Sequence, residues 1–165
     1  MTGPLTAAAI TAQQETAASA LRVGEALAEY AEAADLGMLV VVQNRAGAIL
    51  HDIAIASPVD TGRFRAAWGP GFAALGTVAP PVPPVNPSGS ATSPTDIVQG
   101  SRQGSASITS TEHRHEVLVA NGVRYGPFLE AGFSPQASSG FVRRVLNTHA
   151  ARLREAVERL RVPGK

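Results

Sequence analysis

Ser57-Pro58-Val59-Asp60-Thr61-Gly62-Arg63-Phe64-Arg65 decides how the rest of the chain is read. Proline pushes the residue before it out of helical geometry, so Ser57-Pro58 ends whatever helix arrives there. Asp60 can bond the backbone two residues on and Gly62 can take a positive φ, which together predict a tight corner. Beyond it, Arg63-Phe64-Arg65-Ala66-Ala67-Trp68 alternates, with Phe64, Ala66 and Trp68 on one side, and this predicts a strand. Trp68 is then expected to pack in the core against the arriving helix rather than to stack on a ligand.

Working upstream, Leu27, Ala31, Ala34, Met38, Val42, Ala46, Ile49, Ile53 and Ala56 recur at helical steps. They predict one helix from Gly24 to Ala56, about 45 Å long, with Gly37 as a point of kinking or division. Val40-Val41-Val42 fits a strand as well, but the wider helical period overrides it. Glu25, Glu29 and Glu32 fall mostly off the apolar stripe, near the N-terminal end where the helix dipole favours acids. Residues 1–23 are rich in Ala, Thr and Gln with little bulk, and are expected to form a weakly helical or flexible N-terminal arm.

Working downstream, residues 70–107 differ in kind. Six of the twelve prolines lie from Pro80 to Pro94, with Gly, Ser and Thr around them, a composition that predicts an inserted extended arm. It reads as a surface loop, as a peptide for a proline-binding module, or as an arm docking on a neighbouring subunit, with Pro80, Pro81, Pro83 and Pro84 as candidate contacts. Ser107 to Asn121 alternates again, giving two short strands or one bent strand, and Asn121-Gly122 is a tight-turn signal. Tyr125-Gly126-Pro127-Phe128-Leu129-Glu130-Ala131-Gly132 predicts a single helical turn stopped by glycine. A last helix is expected from near Ser139 to Arg161, with Val142, Val145, His149, Leu153, Ala156 and Leu160 as its apolar stripe; Pro163-Gly164 stops it and residues 162–165 form a tail. The fold class expected is α+β: long N-terminal and C-terminal helices packed on a small antiparallel sheet, in a single domain over residues 24–161.

Composition sharpens this. The chain is 44% hydrophobic but only 5% aromatic, so its core is thin and neighbours are expected to help stabilise it. There is no cysteine, which excludes a disulfide framework and thiolate metal ligation. No run of 18 apolar residues and no signal-peptide pattern appears, so a soluble, cytoplasmic chain is expected. Charge is unevenly spread: residues 1–60 hold seven acids and two bases, a net of −5, and residues 141–165 hold seven bases and two acids, a net of +5. These ends attract each other within the fold or across a subunit interface, or simply decorate two solvated helix faces. Arg143, Arg144 and Arg152 are the candidate basic contacts.

Catalytic chemistry finds little support. His51 and Asp52 are adjacent in a helix and point about 100° apart, a poor dyad. His113-Arg114-His115 places two imidazoles on one strand face with no third ligand near, and Glu112 and Glu116 beside them fit a solvated strand. His149 fits a packing role. Phosphate-loop, zinc-protease and serine-hydrolase motifs are absent from the sequence, so no catalytic residue, metal ligand or cofactor is assigned. Asp60 and Glu130 are expected to bond backbone groups and fix corners. The C-terminal helix is basic enough to touch phosphates but lacks interleaved aromatics, which leaves DNA binding a minor role.

The order of long helix, S-P-V-D-T-G-R-F-R-A-A-W, N-G-V-R-Y-G-P-F-L-E-A-G-F and C-terminal helix resembles the head–tail joining, or tail-completion, proteins of tailed bacteriophages, similar to the minor tail protein Z of lambda-like phages. Pro58, Asp60, Thr61, Gly62, Phe64 and Trp68 match the first motif, P-x-D-T-G-x-L-x-x-S. Tyr125, Gly126, Leu129, Glu130 and Gly132 match the second, Y-A-x-x-x-E-x-G. The Pro-rich segment departs from the pattern. The resemblance implies a structural virion protein at the head–tail junction, made in the host cytoplasm. It implies a homo-oligomeric ring of six or twelve copies. Its neighbours would be a head-side connector, adaptor or stopper protein and a tail terminator or tail tube protein. DNA would pass only transiently, with no membrane involved. A tail terminator ring subunit is the alternative, and a small metal-dependent or acid/base hydrolase the third reading.

Overall fold

The computed structural model describes residues 6–34, 37–111 and 114–161. In chain order they form α1 (Ala7–Ala33), α2 (Met38–Ala56), α3 (Arg63–Ala66), α4 (Gly69–Ala74), α5 (Pro94–Ser101), β1 (Gly104–Ser110), β2 (His115–Asn121), α6 (Gly126–Glu130) and α7 (Phe141–Arg161). The fold is α+β, with helices packed on a two-stranded antiparallel sheet.

The N-terminal half departs from expectation. Residues 7–23 are the first half of α1, not a flexible arm; Thr6 caps it by accepting from the Ala9 amide, and Ala9, Ala12, Ser19 and Val23 are buried. Alanine has the highest helix propensity, and its small side chain lets a neighbouring helix approach closely. The single helix expected over 24–56 is two helices, divided where Gly37 stands, and Val40-Val41-Val42 lies within α2. Residues 1–5 and 162–165, the ends of the expected arm and tail, lie outside the described residues.

α1 and α7 run side by side in the same sense: Glu15 pairs with Arg143, and Arg22 donates to Asn147. Val23, Ala26, Leu27 and Ala31 of α1 share one core with Ile49, Leu50, Ile53 and Ala54 of α2 and Phe141, Leu146, Ala150 and Leu153 of α7. The buried stripe of α7 therefore runs through Leu146, Ala150 and Val157, while Val145 and Ala156 are half-buried and Leu160 is exposed. α2 is apolar and long enough by composition to cross a membrane. Val41, Val42, Ile49, Leu50 and Ile53 face the core, while Val40 and Ile55 on the same helix are exposed.

Arg63–Ala66 is a helical turn rather than a strand. Six alternating residues fit either structure. Gly62, at φ +91°, turns the chain so that its carbonyl accepts from the Ala66 amide, and a helix follows. Residues 70–107 do not form one arm, since α4, α5 and the start of β1 lie within them. A Cβ on Gly100 would meet the Arg63 carbonyl oxygen at 2.1 Å, so the end of α5 is pressed against α3. The strands pair from Gly104↔Asn121 to Ser110↔His115, and next to that last pair the Thr111 amide donates to the Arg114 carbonyl. One face, with Ala106, Ile108, Val117 and Val119, is half-buried, and α2 and α4 pack against the sheet. The other, with Leu118 58% exposed, is open.

Candidate functional site

The two sequence motifs meet around Phe64. Its ring lies 5.9 Å from Trp68, 6.2 Å from Tyr125 and 6.0 Å from Phe141. The Asn121 amide donates to the Phe64 carbonyl at 2.9 Å, and Gly126 sits against the Phe64 ring. Trp68 is buried; its indole N–H donates to Ser57 Oγ at 2.9 Å, and that hydroxyl donates in turn to the Ile53 carbonyl. The last carbonyls of α2 have no helical partner, and Arg65 supplies one by donating to Ile55 and Ser57 oxygens at 2.8 and 2.9 Å. Pro58 is buried beneath this corner and Leu129 packs on the same core. Burial pushes the Tyr125 hydroxyl above its ordinary pKa.

The two motif acids serve different partners. Glu130 is 7% exposed, and its carboxylate accepts from the Val142 and Arg143 amides, both at 3.0 Å. These are orphan donors at the start of α7, so a carboxylate on α6, 12 and 13 residues earlier in the chain, caps that helix. Thr16 Oγ1 of α1 donates to the same carboxylate at 3.2 Å, tying a third helix to the joint. Gly132, at φ +95°, follows α6 as expected. Asp60 does not bond the backbone two residues on. Its side chain and its carbonyl both accept from the Asn86 amide, at 3.2 and 3.3 Å.

Asn86 was missed by the sequence reading, although Asn86-Pro87-Ser88-Gly89 carries turn chemistry. It is 5% exposed, and its oxygen accepts from the Ser88 and Ser90 amides at 3.0 and 2.9 Å. With the Ser93 amide donating to the Thr61 carbonyl at 2.9 Å, it pins the Pro-rich segment to the chain's own corner. Pro80 and Pro83 are half-buried and Pro81 and Pro84 exposed. Pro83, Val85 and Pro87 wall a cleft of about 350 Å³ over Pro58, Val59 and Arg65. The surface that steadies this segment is therefore within the same chain.

The candidate basic contacts separate. Arg143 pairs with Glu15 inside the fold, and Arg144 donates to Ser138 and Ser139 just ahead of α7. Arg152 instead lines a cleft of about 320 Å³ between α2 and α7, with Arg45, Ala48, His51, Asp52, His149, Leu153 and Ala156. There His149 is 8% exposed and its Nε2 lies 2.9 Å from Asp52 Oδ2, while His51 Nδ1 is 3.6 Å from Asp52 Oδ1. The bond to His149 holds the Asp52 carboxyl below its ordinary pKa, against a smaller opposing effect of burial. His149 and Asp52 are 97 residues apart, and no local signal joins them. The cleft walls contain no serine, threonine or cysteine to act as nucleophile. Among the described residues no group of three His, Asp or Glu side chains could hold a metal ion. His113 lies outside the described residues; His115 on β2 bonds Ser110 Oγ at 2.8 Å. Neither cleft is lined by Asp60 or Glu130.

No protein-family model, no curated protein and no solved structure matches this chain.

Proposed function

We propose that the chain is a structural subunit of a tailed-phage head–tail junction, forming a homo-oligomeric ring that joins a head-side connector to the tail. The observation that carries this reading is the use made of the two motifs. Their residues meet at Phe64 in a closed joint, and the Glu130 carboxylate is consumed in capping α7. A motif spent on shape suits a part that must fit its neighbours. The partners are further copies, six or twelve in the ring, a connector, adaptor or stopper protein on one side and a tail terminator or tube protein on the other. DNA passes through, and the site of action is the virion.

Native mass spectrometry with electron microscopy of the purified chain tests the ring directly. Closed rings of six or twelve support it, and a monomer at every concentration and ionic strength overturns it. A tail terminator would give the same mass but bind tail tube rather than connector protein. The His149–Asp52 pair in a cleft favours, as a second reading, an acid/base hydrolase. Ester or glycoside turnover by the isolated monomer, abolished by His149→Gln, would establish it.

A further inference from the structure

Glu25, Glu29 and Glu32 stand at positions i, i+4 and i+7 of α1, forming one stripe about 10 Å long. All three are exposed, on the side of the helix away from the buried Val23, Ala26, Leu27 and Ala31. Among the described residues none of the three takes part in an ion pair, whereas Glu15, one helical stretch earlier, is committed to Arg143. Leu21, 66% exposed, continues the stripe toward the N-terminus.

The α2–α7 cleft has the opposite surplus. Asp52 is answered by His149 and His51, which leaves the Arg45 and Arg152 guanidinium groups beyond what the cleft's one acid needs. Arg45 is held with its guanidinium carbon 5.0 Å from the centre of the Tyr30 ring, so it is steadied as well as charged. Ala48 and Ala156 keep the walls short. At about 320 Å³ the space suits inserted side chains rather than a whole helix, whose diameter is about 10 Å.

We infer that this cleft receives the Glu25–Glu29–Glu32 stripe of a second copy of the chain, with Arg45 and Arg152 as the carboxylate-binding groups. The inference rests on the ring reading and names its contact. A second copy is the fitting partner because both surfaces belong to one chain whose net charge is only +1, with −5 in residues 1–60 matched by +5 in residues 141–165. A stripe on α1 meeting a cleft between α2 and α7 is a head-to-tail contact between unlike surfaces, the kind that closes a ring. Guanidinium–carboxylate pairs supply direction as well as charge, and because the stripe is exposed the contact weakens with salt.

The chain has no cysteine, so introduced thiols report the contact cleanly. Ala28→Cys, flanking the stripe, and Ala48→Cys, in the cleft wall, are made as separate variants, mixed and oxidised. Disulfide formation needs Cα atoms within about 7 Å, and separate chains exclude a bond within one molecule. The mixture is expected to give a cross-linked pair that neither variant gives alone, suppressed at about 1 M salt, where the Debye length is about 3 Å. In parallel, Arg45→Glu with Arg152→Glu is expected to weaken self-association about tenfold or more. Adding chains carrying Glu25→Arg, Glu29→Arg and Glu32→Arg should restore it, with circular dichroism confirming that each variant folds. Rings that persist without the mixed cross-link overturn this contact and leave the ring reading standing. A chain that stays monomeric at low salt overturns both.

Discussion

The joint around Phe64 and the cleft between α2 and α7 are built on opposite plans. At the joint nearly every strong polar group is answered from within the chain: Trp68 by Ser57, Asp60 by Asn86, and the first amides of α7 by Glu130. At the cleft one acid faces two arginines and two histidines across an open gap. A satisfied, buried network fixes shape, whereas an unbalanced, accessible one has binding capacity left over. The motifs that stand out in the sequence thus mark what holds the fold together, and the surface with unspent charge carries no motif at all. Substitutions in the first region should lower stability and those in the second should change association.

The largest effect is expected at Trp68. Trp68→Ala removes a buried ring that touches Phe64 and takes away the donor to Ser57 Oγ, so it should cost about 3–5 kcal/mol in urea denaturation. A cost within the surface range, about 0.5 kcal/mol, would mean that the joint is not part of the cooperative core. Gly62→Val follows. Its φ of +91° suits glycine, and an added Cβ would lie 2.8 Å from Val82 and 2.9 Å from Ile97. Strain of this kind costs about 1–3 kcal/mol, and the collision should also loosen the Pro-rich segment, read as faster proteolysis within residues 77–93. Glu130→Gln keeps the shape of the cap but removes its charge from the start of α7; a loss of about 1 kcal/mol is expected, and Glu130→Ala should cost more.

How much of this was readable in the chain depends on distance along it. Pro58 stopping a helix, Gly62 at positive φ and the glycine after Glu130 are local instructions, and the sequence carries them openly. Arg63–Ala66 was not legible as helix, because a six-residue alternation satisfies two periods and Gly62's turn chooses between them. Residues 7–23 were not legible as ordered helix, because alanine supplies propensity without bulk and the burial comes from α7. The stripe of α7 was displaced, with Leu146, Ala150 and Val157 buried instead of Val145, Ala156 and Leu160, because α1 and α2 press on it from two sides. The pairs Asp52–His149 and Asp60–Asn86 join residues 97 and 26 apart, and only the folded chain brings them together.

The smallest stability effects belong to the cleft, and pH separates its parts. Asp52 titrates below its ordinary 3.8 in the folded chain because His149 bonds its carboxylate. A carboxyl with a depressed folded pKa stabilises the fold above its unfolded pKa, and that contribution is lost as pH falls through the folded value. Wild type should therefore be more stable than Asp52→Asn above about pH 4, with the gap closing below it. The Asp52 side chain is 47% exposed, so solvent screening keeps the gap small. His51, His149, Arg45 and Arg152 share the cleft and are the same in both proteins, so a closing gap traces to the Asp52 carboxylate. Arg152→Glu, at an exposed position, should move monomer stability by no more than about 0.5 kcal/mol, yet it should depress self-association measured by sedimentation. If Arg152→Glu instead unfolded the chain while Trp68→Ala left it intact, the roles assigned to the two regions would be reversed.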